Sequence, residues 1–456
     1  MIAPARRAAF LALEAVARER ADLAAAIDAV RPIVSDRRDL ALLHDLVTGT
    51  LRWRGVIDGV LAPLCRVPLP RLDLEVLTSL RLGAYQLLYL DRVPASAVVD
   101  DAVALVRTAK KSSATGLVNA VLRRVARGER GPLPIDADDA ATLAREASHP
   151  EWLVRRWLSR RGRADVEAWL AFDNAPAPTT LRVNPLVAAS REVVAEALAS
   201  HGVVTAPCRY APWGLVVRDG SLLGAPSLDD GSCAVQDEGS QIAALVAPVM
   251  PGARVLDVCA APGGKTLAYA AAAGADGLVV AADVRSRRVR LLVETLARGR
   301  AARTRVVHLA AEGALPLRAA FDVVAVDAPC SGLGTLRRDP DIKWRREPAD
   351  LAWFAVRQLD LLRRASAAVR PGGCLVYTTC SSEPDENADV VTQFLAAMPE
   401  FELRRIDAGP QGAVLTPFVD ASGCLVTDPV RHGLESYFGA VLTREPVGRG
   451  PAAAVQ

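Results

Sequence analysis

The chain has 456 residues, of which 51% are hydrophobic and 23% charged, and its formal net charge is +3. This length exceeds one ordinary domain, so we expect two or three domains, each with its own core. The composition excludes a disordered chain, and the sequence contains no apolar stretch of about 18 residues that could span a membrane.

The charge is distributed unevenly along the chain. Residues 1–130 contain 20 Lys and Arg against 14 Asp and Glu, a net charge of +6, whereas the remainder has a net charge of −3. A basic amino-terminal third favours a polyanionic partner such as a nucleic acid. A solvated charged surface is the more common cause of such an excess and stays open as the alternative.

The eight cysteines include no Cys-x-x-Cys pair, and only five histidines are present, so no metal site is expected. The apolar run before Glu14 is too short for a secretory signal. We therefore expect a cytoplasmic protein with free, reduced thiols and no membrane association.

Residues 1–128 have helical periodicity throughout and predict an all-α bundle, with helices over Leu74–Leu88, Val98–Thr108 and Leu117–Val125. Residues 129–149 are rich in Gly, Pro and acidic residues and predict a linker. Residues 150–235 combine one helical stretch, Trp152–Leu170, with short extended runs such as Thr180–Val183, which predicts a small α+β lobe.

Residues 236–444 alternate strands with helices and predict an α/β, Rossmann-like domain. The strands are predicted at Arg254–Val258, Leu278–Ala282, Arg305–Leu309, Phe321–Val326 and Cys374–Thr378. Their nearly continuous apolar character is typical of a parallel sheet covered on both faces. Cys424–Thr427 and Tyr437–Leu442 are predicted as antiparallel edge strands, and residues 445–456 as a disordered tail.

A Gly-rich turn follows the first of these strands and opens a helix. It contains Gly263, Gly264 and Lys265, and Asp283 ends the second strand, 19 residues after Gly264. Such a turn lets the backbone approach a ligand, and an acid at this distance hydrogen-bonds a ribose. A simple helix cap is the alternative. Because the Gly patterns of phosphate and dinucleotide sites are missing, S-adenosylmethionine is the ligand that fits best.

Two cysteines follow later strands of the predicted sheet, Cys330 in Asp327-Ala-Pro-Cys330-Ser-Gly and Cys380 in Tyr377-Thr-Thr-Cys380-Ser. Cytosine C5 becomes nucleophilic only after a thiolate adds to C6, so paired thiols and a carboxylate suit methylation of that ring. A buried structural thiol is the alternative, which applies best to Cys259 and Cys374. The polar loops around Cys330 and Cys380 favour chemistry there.

The two cysteine motifs belong to longer stretches, which are Asp327-Ala-Pro-Cys-Ser-Gly-Leu-Gly-Thr-Leu-Arg-Arg-Asp-Pro-Asp-Ile-Lys-Trp344, Tyr377-Thr-Thr-Cys-Ser381 and Glu386-Asn387. These stretches closely resemble the RsmB/Sun-type RNA cytosine-5 methyltransferases, and residues 1–128 resemble the NusB-like RNA-binding domain fused to that subfamily. The resemblance implies a class I S-adenosylmethionine-dependent enzyme, and we expect it to be a monomer. It implies methylation of a cytosine in 16S ribosomal RNA, free or in a small-subunit assembly intermediate, through a covalent cysteine–C6 adduct.

The resemblance also implies roles for individual residues. Cys380 is the implied nucleophile, Cys330 assists release of the methylated RNA, and Asp327 contacts the target base near the methyl donor. The implied cofactor-binding residues are Cys259, Ala260, Ala261, Pro262, Gly263, Gly264, Lys265, Asp283, Arg288, Glu312 and Asp327. Glu312 stands where relatives commonly carry Asp near the adenine.

A basic cluster directly follows the Pro-Cys motif and contains Arg337, Arg338, Lys343 and Trp344. Cations with an aromatic ring among them are suited to holding RNA phosphates and stacking a base. A solvated charged loop is the alternative.

Two other functions remain open from the residues alone. In a DNA cytosine methyltransferase, Cys330 would be the nucleophile and the two cysteines would exchange roles. A non-catalytic RNA-binding or antitermination scaffold, suggested by residues 1–128, would bind no S-adenosylmethionine.

Overall fold

The computed structural model describes residues 2–130 and 139–446, with Arg37 described by its backbone alone. Parts of the predicted linker (131–138) and of the predicted tail (447–456) therefore lie outside the described residues. The chain forms two compact units, one made of Met1–Pro176 with Leu336–Arg346 and the other of Ala177–Thr335 with Glu347–Gln456.

The first unit is helical. Its helices before residue 177 are α1 (Pro4–Ala17), α2 (Leu23–Val30), α3 (Arg37–Arg52), α4 (Arg54–Leu61), α5 (Leu74–Tyr89), α6 (Ala95–Thr108), α7 (Thr115–Ala126), α8 (Asp139–Glu146), α9 (Glu151–Leu158) and α10 (Arg163–Asn174). The three helices predicted within residues 1–128 are α5, α6 and α7. They bury apolar residues at helical spacing, for example Val118, Val121, Leu122 and Val125 of α7.

The described part of the predicted linker contains α8. This helix buries Ala140, Leu143 and Ala144, which share one face, and it carries Asp139 in its first turn, where a negative charge is favourable. The helical periodicity of α8 extends over only eight residues, so the Gly- and Pro-rich segment before it led to the prediction of a linker.

The single helical stretch predicted at Trp152–Leu170 is two helices, α9 and α10, separated at Gly162. Both belong to the first compact unit, whereas the predicted lobe boundary at residue 150 grouped them with the following strands. The rings of Trp157 and Trp169 are 5.0 Å apart, and His149 packs against Trp157 at 6.2 Å.

The second unit contains all of the described strands. Up to residue 335 its elements are β1 (Thr180–Val183), α11 (Arg191–Ser200), β2 (Val204–Pro207), β3 (Gly214–Asp219), α12 (Pro226–Asp229), β4 (Cys233–Val235), α13 (Glu238–Ala244), β5 (Arg254–Asp257), α14 (Gly264–Ala273), β6 (Leu278–Asp283), α15 (Ser286–Arg298), β7 (Thr304–His308) and β8 (Phe321–Asp327).

The chain then contributes α16 (Ile342–Arg345) to the first unit. The second unit resumes with α17 (Pro348–Ser366), β9 (Val369–Thr379), α18 (Ala388–Ala397), β10 (Phe401–Arg404), α19 (Gly412–Leu415), β11 (Leu425–Val426), α20 (Pro429–His432) and β12 (Phe438–Arg444).

The smaller sheet is antiparallel in the order β2-β3-β1-β4. The larger sheet has the order β10-β12-β9-β8-β5-β6-β7, in which β9, β8, β5, β6 and β7 are parallel, and β11 pairs with β12. All five predicted strands of the parallel sheet are present, and the carboxyl ends of parallel strands meet at one edge.

The prediction that Tyr437–Leu442 forms an edge strand is wrong. β12 pairs antiparallel with β11, as expected, but it also lies between β9 and β10, so the edge strand is β10. Residues Phe438–Leu442 of β12 are all buried, which is the pattern of an interior strand.

The parallel strands have apolar cores on both faces. Val255, Val323 and Val376 belong to the core on one face. Their chain neighbours Leu256, Val324 and Leu375 belong to the core on the other face. This alternation fixes the register of the strands and therefore the positions of the loops that follow them.

In residues 2–130 and 139–446, the helices are all too short or too polar to cross a membrane. The same described ranges contain no cluster of three or more His, Cys, Asp or Glu side chains arranged to bind a metal ion.

Candidate active site

The candidate site lies at the carboxyl-end edge of the parallel sheet. Asp257, Asp283, Asp327 and Thr379 are the last residues of β5, β6, β8 and β9. These four strands are neighbours in the sheet, so the loops that follow them converge. The Gly-rich turn follows β5, and the two cysteine loops follow β8 and β9.

The two predicted catalytic thiols are in contact. Cys330 Sγ and Cys380 Sγ are 3.1 Å apart, both side chains are half-buried, and both cysteines are free. By contrast, Cys374 is buried inside β9 among apolar residues, as its structural interpretation predicted. Cys330 and Cys380 are 50 residues apart in the sequence, and the pairing of β8 with β9 brings them together.

The environments of the two sulfurs differ. The hydrogen bond to Cys380, burial and the nearby negative charges of Cys380 and Glu386 raise the pKa of the Cys330 thiol well above its usual range. Cys330 therefore keeps its proton and can donate it in a hydrogen bond to Cys380.

Asp327 is held by two hydrogen bonds. Its Oδ2 accepts from Lys265 Nζ at 2.6 Å, and its Oδ1 accepts from Thr378 Oγ1 at 3.0 Å. Burial lowers the pKa of Lys265, but the charges of Asp327, Cys380 and Asp257 and the hydrogen bond to Asp327 outweigh that effect and raise it. Lys265 therefore stays an ammonium that links the Gly-rich turn to both cysteine motifs.

A buried carboxylate joins the two cysteine loops. Glu386 is fully buried, and its Oε2 accepts from Ser331 Oγ at 2.5 Å and from Ser381 Oγ at 2.6 Å. Its Oε1 accepts from the Ser331 amide at 2.8 Å and from Gln358 Nε2 at 3.0 Å. Because Ser331 directly follows Cys330 and Ser381 directly follows Cys380, these hydrogen bonds connect the two cysteine loops through Glu386.

The Gly-rich turn is shaped for close approach. Gly263 has a φ of +109°, which favours glycine, and a Cβ there would lie 3.0 Å from Leu292 Cδ1. A Cβ at Gly264 would lie 3.3 Å from Gln236 Nε2. Ala260 and Ala261 are buried, Pro262 follows a cis peptide bond, and Cys259 has a pKa raised by burial.

Asp257 lies beneath this turn. Its Oδ2 accepts a hydrogen bond from Thr266 Oγ1 at 2.7 Å in the first turn of α14, which ties the end of β5 to the helix. Burial raises the pKa of Asp257 to about 7, and the neighbouring Asp327 and Asp283 add to the rise. Near neutral pH, Asp257 is therefore only partly ionised.

Asp283 and Arg288 lie next to the turn. Asp283 Oδ1 accepts from the Arg285 amide, Arg288 Nε is 3.6 Å from Asp283 Oδ2, and Arg288 also donates to Ala261 O. Among the described residues, Asp283 Oδ2 is buried without a hydrogen-bond partner. This buried carboxylate oxygen lies beside the Gly-rich turn and lacks a hydrogen-bond donor. It fits a site in which it would accept a hydrogen bond from a ribose hydroxyl of an adenosine cofactor. Glu312 is exposed in the loop after β7, and its contact with the adenine stays a prediction.

The predicted RNA-binding cluster lies in the first compact unit, where most of it has intramolecular partners. Lys343 is fully buried, its Nζ is 3.3 Å from Asn174 Oδ1, and burial lowers its pKa. Its expected role in binding an RNA phosphate is corrected, because its ammonium does not reach solvent in this structure.

The other members of the cluster are partly buried. Trp344 Nε1 donates to Leu51 O at 2.6 Å, and Arg54 lies over the Trp344 ring at 5.3 Å. Arg337 donates to Pro176 O and Ala175 O and lies over Phe172. These contacts favour a structural role for Arg337 and Trp344. For Arg338, which is half-buried, binding of RNA stays a prediction.

Several site residues were not assigned from the sequence, namely Asp257, Thr266, Ser331, Gln358, Thr378, Ser381 and, as a positioning group, Glu386. Glu386 belongs to a motif that carried the family resemblance, so its presence in the site could have been expected. Gln358 had no such signal. It is a buried polar residue of α17 that donates to Pro329 O and to Glu386, and only the packing of that helix brings it there.

Several known proteins and protein families are similar to this chain. Three family models match the chain: 16S rRNA methyltransferase RsmB/F over residues 243–443, the NusB family over 3–127, and the RsmF/B-like ferredoxin-like domain over 149–221. The crystal structure of PH0851 has a TM-score of 0.83 and 25% identity, covering 97% of this chain and 99% of that one.

Two curated relatives match over most of their length. The probable ribosomal RNA small subunit methyltransferase B of Synechocystis sp. is 32% identical over 96% of this chain and 99% of its own length. Ribosomal RNA small subunit methyltransferase B of Pseudomonas putida is 35% identical over 90% of this chain and 93% of its own length. The chain therefore belongs to the RsmB/F family of 16S rRNA methyltransferases, which use S-adenosylmethionine.

Proposed function

We propose that this enzyme methylates C5 of one cytosine in 16S ribosomal RNA through a covalent bond between Cys380 Sγ and C6 of the base. The observation that carries the proposal is the contact between two inequivalent thiols, 3.1 Å apart, beside a carboxylate–ammonium pair. An RNA methyltransferase that modified a base nitrogen or a ribose oxygen would need no such pair of thiols.

Cys380 begins the reaction as the nucleophile. Its negative charge is favoured by the hydrogen bond from Cys330 and by the ammonium of Lys265. Addition of Cys380 Sγ to C6 forms the S–C6 bond and moves the electron pair of the C5–C6 double bond onto C5, which becomes nucleophilic. S-adenosylmethionine supplies the electrophilic methyl group that C5 takes up.

Asp327 is placed to orient the base. Its two oxygens are fixed by Lys265 and Thr378, so the carboxylate has a defined direction at the end of β8. A carboxylate at the N3/N4 edge of cytosine accepts a hydrogen bond from the amino group and favours a proton on N3, which stabilises the electron-rich ring. Asp327 therefore binds the base and eases the addition at C6.

Cys330 acts when the product is released. Loss of the C5 proton to a base restores the C5–C6 double bond, and Cys380 Sγ leaves as a thiolate. A hydrogen bond from the Cys330 thiol, which keeps its proton, stabilises that departing charge. Removal of Cys330 is therefore expected to slow release more than addition, so that the protein–RNA adduct accumulates.

The alternative in which Cys330 is the nucleophile is less well supported. The pKa of Cys330 is raised by its hydrogen bond to Cys380, by burial and by nearby negative charge, so forming its thiolate is costly. Single replacements of the two cysteines separate the alternatives, because only the nucleophile is essential for a covalent adduct.

Bisulfite sequencing of ribosomal RNA from cells with and without the gene tests the proposed reaction and substrate. One protected 16S cytosine is expected to lose its protection on deletion and to regain it when the wild-type enzyme, but not its Cys380→Ala variant, is supplied. Incubation of free 16S RNA or of small-subunit particles with purified enzyme then identifies the substrate form. An unchanged pattern of protected cytosines on deletion would reject the proposal. We further propose that the enzyme acts as a monomer, which light scattering of the active protein would verify.

A further inference from the structure

Positive charge in the second compact unit is concentrated in residues 285–305. This segment contains eight arginines (Arg285, Arg287, Arg288, Arg290, Arg298, Arg300, Arg303 and Arg305) and one acidic residue, Glu294. The rest of that unit contains 16 Lys and Arg against 27 Asp and Glu. A segment of net charge +7 therefore lies in a unit that is otherwise strongly acidic.

The fold places much of this charge on one face of α15. Arg287, Arg290 and Arg298 are exposed and lie at helical spacings of three and eight residues, whereas Leu292 and Leu296 are buried on the opposite face. The helix packs by its apolar side, so the arginine side is not needed for folding. With 13 residues, α15 is about 20 Å long.

The charge continues past the helix onto the edge of the sheet. Arg300 precedes β7, and Arg303 and Arg305 are exposed at and within this strand, which is the last of the parallel sheet. Arg303 donates to Ala275 O, and Arg305 donates to the carbonyls of Ala302 and Thr304. These carbonyl contacts orient the two guanidinium groups but do not neutralise them.

In the part of the chain that the structure describes, Arg288 is the only one of the eight arginines with an ion pair, which it forms with Asp283. Some exposed arginines elsewhere in the unit have acidic partners, as Arg370 has Asp322 and Arg405 has Asp407. Within the described residues these seven neighbouring cations have no acidic partner and repel one another, so the surface is best explained by an external polyanion.

The position of α15 connects this surface to the active site. The first turn of the helix is tied to the Gly-rich turn, because Arg288 donates to Ala261 O. β6, which leads into α15, is three strands from β9, which ends directly before Cys380, a distance of about 14 Å. A single strand of RNA with its target cytosine at Cys380 could therefore lay its neighbouring phosphates along α15.

We propose that the exposed arginines of α15 and β7 bind the phosphate backbone of the ribosomal RNA on one side of the target nucleotide. Leu291 and Val293 are 46% and 47% exposed on the same helix and could pack against ribose or base. Apolar exposure alone would also suit a protein partner, but seven cations without acidic partners favour RNA. The inference rests on the RNA substrate of the proposed function and not on which base atom is methylated.

The test compares two charge-reversed proteins of equal net charge. In the first, Arg287, Arg290 and Arg298 are each replaced by Glu (R287E, R290E and R298E). In the control, three exposed arginines from other elements are replaced in the same way (R218E, R363E and R431E). The dissociation constant for an unmodified 16S RNA transcript is measured between 50 and 300 mM salt, with that for S-adenosylhomocysteine as a check on the cofactor site.

The first variant is expected to bind the RNA at least tenfold more weakly, with a salt dependence shallower by about two to three released counterions. The control is expected to stay within about threefold of wild type, and both variants are expected to bind S-adenosylhomocysteine normally. Equal losses of RNA affinity in the two variants would overturn the proposal. Unchanged RNA affinity in the first variant would also overturn it and would favour a protein as the partner of this surface. Because only binding is measured, the result does not depend on methylation at C5.

Discussion

At the scale of single residues, the proposed chemistry depends on two neighbouring sulfurs whose surroundings differ. Cys330 and Cys380 are close enough for a hydrogen bond, and this hydrogen bond, burial and the charge of Glu386 raise the pKa of the Cys330 thiol, which therefore keeps its proton. The ammonium of Lys265 interacts electrostatically with Cys380 and donates a hydrogen bond to Asp327. One ammonium therefore acts on both the proposed nucleophile and the group proposed to orient the base.

The raised pKa of Asp257 predicts that the stability of the protein depends on pH. Its pKa is raised by burial from 3.8 in the unfolded chain to about 7, so the folded protein binds an extra proton between these values and its stability falls as pH rises through them. In Asp257→Asn this contribution is absent, because the amide does not titrate but can still accept from Thr266. Between pH 4.5 and 7.5, wild type is expected to lose about 1–4 kcal/mol of unfolding free energy relative to the variant.

Urea unfolding of both proteins across this pH range measures the difference. Asp257→Ala serves as a second variant that lacks both the charge and the hydrogen bond. Curves for wild type and Asp257→Asn that run parallel with pH would show that Asp257 is ionised in the folded protein throughout.

Glu386 is expected to act as a positioning residue. Glu386→Ala removes the acceptor for Ser331, Ser381 and Gln358 and lets the two cysteine loops move apart. We expect kcat to fall at least about 100-fold with little change in KM for RNA, since misplacement of a reacting group acts on the chemical step. Glu386→Gln, which keeps one acceptor oxygen, should recover part of the activity, and Asp389→Ala, an exposed acid nearby, should behave as wild type.

A second readout for Glu386 does not require methylation. Diamide oxidises two adjacent thiols to a disulfide, and mass spectrometry detects the Cys330–Cys380 linked peptides. The linkage is expected to form more slowly in Glu386→Ala than in wild type. Fast linkage together with full activity in that variant would show that Glu386 does not set the sulfur separation.

Much of this site could be predicted from the sequence because its members follow strands at one edge of a parallel sheet. Strand order then brings Cys330 to Cys380 and both to the Gly-rich turn. The sequence could not reveal that Lys265 joins Asp327, or that Gln358 supports Glu386, because these contacts depend on side-chain directions and helix packing. No periodic pattern encodes them.

At the scale of elements, continuous apolar runs identified the parallel strands, whereas strands that are short or half polar were not predicted. β2 and β10 are four residues long and only partly buried, so their patterns are weak. β12 was recognised as a strand but assigned to the edge. Its interior position follows from pairing with both β9 and β10, which local sequence does not specify.

The segment Leu336–Arg346 differs most from its prediction. Its charge suggested a loop facing RNA, yet it belongs to the helical unit and buries Lys343. The long aliphatic stem of Lys343 and the partly buried ring of Trp344 make this packing favourable despite the charge. Composition alone does not separate a basic RNA-binding loop from a basic segment that packs against its own chain.

Trp344 tests this assignment. Trp344→Ala removes the hydrogen bond to Leu51 O, the contact with Arg54 and the packing against Gly55, so the helical unit is expected to lose about 2 kcal/mol or more of stability. Trp353→Ala, at an exposed tryptophan of α17, is the control and should cost much less. Thermal unfolding of the three proteins measures both effects. Unchanged stability with weaker RNA binding in Trp344→Ala would restore the RNA-binding role.

At the scale of the whole molecule, the family relationship extends over nearly the entire chain, and its helical, ferredoxin-like and methyltransferase parts follow one another in the predicted order. The proposed reacting groups Cys380, Cys330 and Asp327 all lie in the second compact unit. The proposed function therefore depends on one event in that unit, the bond between Cys380 and the RNA.

Covalent capture of RNA tests that event most directly. Purified Cys330→Ala, incubated with unmodified 16S RNA and S-adenosylmethionine, is expected to give a slowly migrating protein–RNA band on a denaturing gel, and mass spectrometry should locate the bond at Cys380. Cys380→Ala should give no band and lose roughly 10⁴-fold or more in methylation rate. A band in Cys380→Ala, or an adduct mapped to Cys330, would contradict the account.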